Sequence, residues 1–396
     1  HNAWRCCAEM NKRSYFGSMN FDLSDDHELL RRTVRDFAEN EVAPVAEELD
    51  RTKQIPYEII AKLGALNLMG IPFPEEYGGA GGDTLAYVLA VEELTRVDSS
   101  VAITLCAHTS LGTQPIYLFG SEQHKRDWMP RLCSGEMLGA FGLTEAEAGS
   151  DAANTKTRAR LDGGEWVIDG AKQFITNAGT DISGVVTITA LTGEKEISNF
   201  LVPNGTPGYE QGEPYRKMGW NASDTRPLTF DDCRVPEDHL LGPRGNGFKQ
   251  FLHVLAIGRI GVAAMGLGLA QGALDQALAY AKQRRAFGRA ISTFQAIQIK
   301  LADMATEIEA ARLLVYRAAL LKDSGRDFSL AAAQAKLKTG RLAVRCAEEA
   351  VQIHGGYGYI EEYPVCRMYR DAKILTIGEG TDEIQQMVIA RALVGG

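Results

Sequence analysis

The sequence lacks any C-x-x-C pair among its seven cysteines, Cys6, Cys7, Cys106, Cys133, Cys233, Cys346 and Cys366. That spacing pattern excludes the common structural zinc sites. An odd, scattered set reads as reduced thiols rather than a disulfide framework. The seven histidines show no ligand spacing, and His354 reads as a ring packed beside the Gly355-Gly356 turn. No unbroken apolar stretch suits a membrane span. The longest, Ile260–Ala270, contains three glycines and falls well short of the ~18 residues required. Lys and Arg number 42 against 51 Asp and Glu, leaving a net charge of −9. That excess argues against general nucleic-acid binding but leaves room for an anionic ligand held by a few local arginines. There is no G-x-S-x-G elbow, no Walker loop and no H-E-x-x-H.

What is present is an ordinary globular composition, 45% apolar and 23% charged over 396 residues. It excludes disordered and collagen-like classes and suffices for a large core. Residues 1–18 carry no secretory apolar run. With Gly17-Ser18 preceding Met19, they read as an expression tag or non-native leader.

The texture runs α, then β, then α, with no fixed-period repeat. Residues 19–138 read as a helical domain. It opens at Ser24, which can cap a helix carrying Asp25 and Asp26 in its positive first turn. The glycine-rich stretch 75–82 reads as a flexible loop. It lacks the preceding strand and the lysine a phosphate cradle needs. Helix resumes from Thr84 to about Phe119. Residues 139–245 are rich in Thr, Val, Ile and Gly, with closely spaced turns, and predict a small antiparallel β-barrel. Trp166-Val167-Ile168 reads as a strand entering a turn at Asp169-Gly170. Residues 246–396 carry the long helical periods Leu267–Ala281, Gln295–Asp323 and Leu330–Ile353. Gly266-x-Gly268 lies inside such a period and reads as close helix packing, not a dinucleotide fingerprint. The fold class is α+β, mainly α.

Four constellations could carry chemistry. Gly378-Glu379-Gly380-Thr381 places a carboxylate between glycines just before a capped final helix, where a backbone can approach a ligand closely. Thr144–Asp151 is a turn of small and hydroxylated residues. Lys172–Asn177 sets an aromatic, Phe174, two residues before a hydroxyl, Thr176, an arrangement that can cover a flat ring and bond its edge. Arg284-Arg285-Ala286-Phe287-Gly288, with Gln295 beyond, suits a phosphate and a stacked base. Each alone is equally an ordinary turn, loop or solvated helix end.

Together and in this order, with Gln352-Ile353-His354-Gly355-Gly356 and Glu379–Gln385, they make Met19–Arg391 resemble the acyl-CoA dehydrogenase family. Gly258-Arg259-Ile260-Gly261 and Leu301–Met304 make it look most like the short-chain and branched-chain members. The resemblance implies an N-terminal helical domain, a middle β domain and a C-terminal four-helix bundle, with FAD where the last two meet. It implies that Glu379 takes the α-proton of an acyl-CoA thioester. The β-hydride then passes to flavin N5, leaving a trans-2-enoyl-CoA. Phe141, Leu143, Thr144, Gly149, Ser150, Phe174 and Thr176 would lie along the flavin. Arg284, Phe287, Gln295, Gln352 and Gly356 would reach the FAD of a neighbouring subunit, and Thr381 and Glu383 would approach the cofactor. Ser150, Arg259, Gly378, Gly380 and Arg391 would contact acyl-CoA. The Glu379 N–H and a flavin ribityl hydroxyl would donate to the thioester oxygen. A homotetramer (a dimer of dimers) and an electron-transfer flavoprotein as acceptor are implied too, in a bacterial cytoplasm or a mitochondrial matrix. An oxidase passing electrons to oxygen, and a catalytically silent binding relative, stay open as alternatives.

Three departures from the family pattern stand out, the first affecting loop stiffness and the other two the substrate. Ala146 stands where Pro is common, Ala256 where an acidic residue is frequent, and Gly378 where Tyr is common. Loss of that ring predicts a wider cavity at the reacting carbons. Gly258 occupies a helix where some members carry the base, and glycine cannot act as one.

Overall fold

The computed structural model describes residues 22–395, so the leader read at 1–18 lies outside the described residues, with Cys6 and Cys7. Helix α1 (Asp25–Phe37) begins as expected, with the Ser24 hydroxyl accepting from the His27 N–H and three acidic residues in its first turn. Helices α2 (Ala43–Thr52) and α3 (Tyr57–Ala65) follow. The glycine stretch is not loose, because Gly79, Gly81 and Gly82 donate their N–H groups to Pro74, Phe73 and Ile71. Those donors are therefore consumed within the chain. The single period expected from Thr84 is divided. Asp98 ends α4 (Thr84–Val97) and caps α5 (Ser99–Ala107) through the Val101 N–H. A π-helical turn, His108–Thr113, then leads into α6 (Gln114–Phe119) and α7 (Glu122–Cys133).

The middle region is a curled seven-stranded sheet: β1 (Leu138–Gly142), β2 (Arg158–Asp162), β3 (Glu165–Thr176), β4 (Ser183–Gly193), β5 (Glu196–Pro203), β6 (Tyr209–Gln211) and β7 (Thr225–Pro236). The expected antiparallel pairing holds for β2–β3, β3–β7, β4–β5 and β6–β7. It is corrected for β1, which lies parallel to β4, as does the single contact of β2 with β4. Asp169-Gly170 is also not a turn. It is an irregularity inside β3, which continues to Thr176. The real turn is Gly163-Gly164, both at positive φ, joining β2 to β3.

The C-terminal region opens with α8 (Gly247–Gln283), 37 residues long. A short hairpin, β8 (Arg285–Ala286) and β9 (Arg289–Ala290), leads to α9 (Gln295–Asp323), α10 (Ser329–His354), α11 (Pro364–Ala372) and α12 (Asp382–Val394). Helix α8 packs on α10, α4 and α9, and α12 lies on α10. Close packing explains the glycine pair in α8. A β-carbon on Gly266 would meet Thr339 at 2.8 Å, and one on Gly268 would meet the Glu92 carbonyl at 2.3 Å. By length and composition α8 is apolar enough to cross a membrane, which the run Ile260–Ala270 alone did not indicate. Its most apolar window is 83% buried inside the protein, the pattern of a core helix.

Polar contacts tie the three regions together. Asp371 in α11 accepts from the Trp220 N–H at 2.7 Å and from Ser99 Oγ at 2.6 Å. Asn221 donates to Asp50 of α2 at 2.8 Å, and Asp50 also pairs with Arg370. Four of the five described cysteines, Cys106, Cys133, Cys233 and Cys346, are buried free thiols, and Cys366 is half-buried. No cluster of metal-ligating side chains occurs among the described residues.

Candidate active site

Glu379 sits in a turn that two buried side chains hold from behind. It has φ 53° and the following Gly380 has φ 94°, so two consecutive residues are left-handed. For a side-chain-bearing residue such a conformation costs about 1–3 kcal/mol and must be over-determined by its surroundings. Lys336 of α10 donates from Nζ to the Gly380 carbonyl at 2.7 Å. Gln385 of α12 donates from Nε2 to the Glu379 and Gly380 carbonyls at 3.2 and 3.0 Å. Both side chains are fully buried. Thr381 caps α12 through the Ile384 N–H, as expected.

The carboxylate itself has no such support. Glu379 Oε2 is buried without a hydrogen-bond partner. Gly258 of α8 makes room for it, since a β-carbon there would lie 2.1 Å from Oε2 and 2.9 Å from Leu111. Burial pushes the Glu379 carboxyl up to about 7, while the charges of Arg259 and Lys336 pull it back. Arg259 is itself buried with Nε unpartnered, and burial lowers its pKa. A buried, partly neutral carboxyl with an open oxygen can exchange a proton with a ligand near neutral pH.

Leu111 is placed by the π turn, and His108 fixes that turn. His108 Nδ1 accepts from the Gly139 N–H at 3.1 Å while Nε2 donates to the Leu132 carbonyl at 3.0 Å. Burial holds the ring pKa down to about 4, so it stays neutral in this tautomer. One helical turn along α8 from Gly258, Gly261 faces the Tyr87 hydroxyl and the Cys106 thiol. Ala256 lies in the core.

The candidate flavin-lining residues lie on β1, on the loop that follows it and at the end of β3. Phe141 stacks on Phe251 of α8 at 3.9 Å between ring centroids. The loop after Leu143 and Thr144 is pinned by a buried ion pair, Lys172 Nζ to Glu145 Oε1 at 2.6 Å. Lys172 also reaches Thr189 Oγ1 at 3.0 Å, and Glu145 accepts from the Lys156 and Thr157 N–H groups. With these donors Glu145 drops to about 2, whereas burial outweighs pairing for Lys172 and lowers it to about 8. Ala146 and Glu147 form the tip between Glu145 and Ala148, which exchange backbone hydrogen bonds. Gln173 N–H donates to the Thr144 carbonyl at 2.8 Å, bringing the loop beside Phe174. Phe174 has φ 62°, is 63% exposed and lies 5.2 Å from the Tyr215 ring. Thr176 ends the strand at half-burial, and Gly149 and Ser150 are exposed. A large, exposed, conformationally strained aromatic beside a rigid hydroxyl-bearing loop fits a flat ligand such as the flavin ring system.

Arg284 and Gly356 do come together. They line a cleft of about 530 Å³ with Tyr280, Ile353, His354 and Tyr357. Arg284 lies over the Tyr357 ring at 5.5 Å and pairs with no carboxylate among the described residues. Tyr280 stacks on His354 at 4.1 Å, the packed ring expected there. Phe287 stands at the tip of the β8–β9 hairpin, 95% exposed, and Gln295 at the start of α9 and Gln352 near the end of α10 are exposed as well. An uncompensated guanidinium in an aromatic cleft suits an anionic, base-bearing group such as a dinucleotide. Within this one chain, no described contact joins this cleft to Glu379. Nor does one join Glu379 to Arg391, exposed in the last turn of α12, or to the exposed Glu383.

The sequence reading missed Lys336, Gln385 and the Lys172–Glu145 pair. Lys336 had a signal, because it interrupts the buried small-residue stripe Ala332, Ala333, Thr339, Gly340 and Ala343 at helical spacing.

Comparison with known families agrees along nearly the whole chain. Models of the acyl-CoA dehydrogenase N-terminal, middle and C-terminal domains match residues 24–136, 140–233 and 245–394. A probable acyl-CoA dehydrogenase of Bacillus subtilis is 51% identical over 95% of this chain and 100% of its own. Butyryl-CoA dehydrogenase from Megasphaera elsdenii superposes with a TM-score of 0.92 at 45% identity, covering 95% of this chain and 100% of that one. A chain in the structure of the electron transferring flavoprotein of Acidaminococcus fermentans gives 0.93 at 46%, covering 96% and 100%. A glutaryl-CoA dehydrogenase of Mycobacterium smegmatis in complex with FADH2 gives 0.90 at 34%, covering 94% and 96%.

Proposed function

The chain belongs to the acyl-CoA dehydrogenase family, flavin-dependent oxidoreductases with FAD as cofactor, and from that premise we propose that it desaturates a short- or branched-chain acyl-CoA with Glu379 as the base. The observation that carries this reading is the buried, unpartnered Oε2 of Glu379, held in a strained turn. Bound FAD supplies a two-electron acceptor for the hydride that leaves the β-carbon. Phe141, Leu143, Thr144, Phe174 and Thr176 would hold its ring system, and Arg284, Phe287, Gln352 and Gly356 would hold the adenosine portion of a neighbouring subunit's cofactor.

The protein's own part is proton removal and charge stabilisation. The Glu379 carboxyl, raised to about 7, is a stronger base than an exposed glutamate yet largely ionised just above neutrality. It takes the α-proton, and negative charge gathers on the thioester oxygen. The Glu379 N–H has no acceptor among the described residues and can donate to that oxygen. One such donor is worth about 3–4 kcal/mol. The apolar wall of Leu111 and α8 keeps water from the developing carbanion.

Gly378 supports tolerance of a branched acyl group. A β-carbon there would meet only Ile374, at 3.5 Å, so the space beside the base is open. The short-chain relatives and the flavoprotein-associated neighbour favour an electron-transfer flavoprotein as acceptor. The exposed Phe287 and the Arg284 cleft favour assembly as a homotetramer with shared cofactor sites. The test is an anaerobic visible spectrum titrated with butyryl-CoA, then with longer and α-methyl-branched thioesters. Bleaching of the flavin is expected, strongest with short or branched chains. A flavin that no acyl-CoA bleaches would overturn the reading, and fast reoxidation by air would turn it to an oxidase.

A further inference from the structure

Lys336 is the second cation beside the base, and it reaches the Glu379-Gly380 turn from α10. Its side chain is fully buried, a costly place for an ammonium. Among the described residues its ammonium makes one hydrogen bond, to the Gly380 carbonyl at 2.7 Å. That carbonyl belongs to the left-handed residue following Glu379. The nearest carboxylate, Asp382 Oδ1, is 4.0 Å away, and Asp382 is already engaged by Arg341 at 2.9 Å. Lys336 is thus neither neutralised by a tight ion pair nor exposed to water. Gln385 holds the same turn but carries no charge.

We propose that Lys336 is a positioning residue for Glu379. Its ammonium locks the Glu379-Gly380 turn, and its positive charge biases the carboxylate toward the ionised, proton-accepting form. This rests on Glu379 being the base. The groups facing Lys336 are Asp382 and Glu383 of α12, Glu379 of the turn and Arg259 of α8. Those facing the carboxylate are Arg259 of α8 and Lys336 of α10, with the neutral Tyr87 of α4 and Cys106 of α5 further off. Arg259 lies on the helix that walls the cavity, while Lys336 grips the backbone of the base itself. Burial already lowers the Lys336 pKa to about 8, so its charge and that of Glu379 titrate over neighbouring pH ranges. Removing the ammonium takes away an attraction for the carboxylate, so the midpoint of Glu379 must rise. Asp382 is the main charge that keeps Lys336 protonated, so removing it weakens the same attraction and must raise the midpoint as well.

The experiment uses the full chain with FAD bound. The carboxyl C=O infrared band of Glu379, identified by its loss in Glu379→Gln, is titrated against pH without substrate. Flavin reduction by butyryl-CoA is followed over the same range. Lys336→Met is expected to raise the midpoint by about one pH unit and to slow reduction about tenfold at pH 7, with recovery towards pH 9. Lys336→Arg should keep the wild-type midpoint, and Asp382→Asn should move it upward, by less than Lys336→Met does. If Lys336→Met is unfolded by circular dichroism or flavin content, the Asp382→Asn and Lys336→Arg titrations decide alone. An unchanged infrared midpoint in a folded Lys336→Met, or a downward shift in Asp382→Asn, overturns the proposal. Failure of wild-type flavin reduction with every thioester would instead overturn the functional reading, while the infrared midpoints still judge Lys336.

Discussion

Glu379 Oε2 lies 2.1 Å from where a β-carbon on Gly258 would stand, so the base and the missing side chain share one space. Gly258→Ala should therefore displace the carboxylate rather than unfold α8, where alanine is a better helix former. A shift of about 1 Å in a reacting group can cost roughly a hundredfold in rate. Stopped-flow reduction with butyryl-CoA should show a loss of at least tenfold at normal FAD content. An unchanged rate would mean that Oε2 is not where the chemistry occurs.

The pH profile follows from the same carboxylate. Glu379 must be ionised to accept a proton, and its carboxyl lies at about 7. The reduction rate should rise between pH 6 and 8 with a midpoint near 7. Glu379→Gln should remove the reduction and its pH dependence together.

That substitution should also stabilise the fold in alkaline solution. The folded carboxyl lies at about 7, above its ordinary 4.5, so the folded state binds the proton more tightly than the unfolded chain. The wild type therefore loses stability as pH rises from about 4.5 through 7, by a few kcal/mol in all. The melting-temperature advantage of Glu379→Gln should grow over that window and level off above it. An advantage independent of pH would contradict the assigned titration.

The Lys172–Glu145 pair behaves in the opposite sense. Glu145 is held at about 2, below its ordinary 4.5, so its contribution is present above the unfolded value and fades as pH falls towards 2. Glu145→Gln leaves Lys172 buried without a counter-charge, at a cost of about 3–5 kcal/mol. Thermal melts should show that loss, and flavin should bind more weakly because the Thr144–Asp151 loop is released. Retention of both would show that the pair is dispensable.

Gly378→Tyr should fill the open space beside the base. Turnover of an α-methyl-branched thioester should fall at least tenfold relative to the straight chain of equal length. Equal losses on both would count against Gly378 as the source of branched-chain tolerance.

Much of this was legible because it is local. Ser24, Thr381 and the periodic runs of α9 and α10 announce themselves within a few residues. The Glu379 turn was visible as a carboxylate between glycines. What sequence could not show is how distant residues share space. Lys336 and Gly258 reach Glu379 across 43 and 121 residues of chain, and Lys172 meets Glu145 across 27. The parallel pairing of β1 with β4 escaped for the same reason, since turn chemistry reveals hairpins but not strands that meet after 40 residues of intervening chain.

Helix α8 has a consequence for how the chain must fold. It spans roughly 55 Å by its 37 residues at the usual rise. Its buried face is covered by α4 from early in the chain and by α9 and α10 from late in it, and Phe251 at its start closes on Phe141 of the sheet. A ribosome that has released residues up to Gln283 has made this long apolar helix but not half of its cover. Until α10 emerges, that surface is open to other nascent chains, so chaperone dependence in synthesis should concentrate between Gln283 and His354. Once closed, the helix leaves no seam along which either end can melt alone, and denaturation should proceed as one transition.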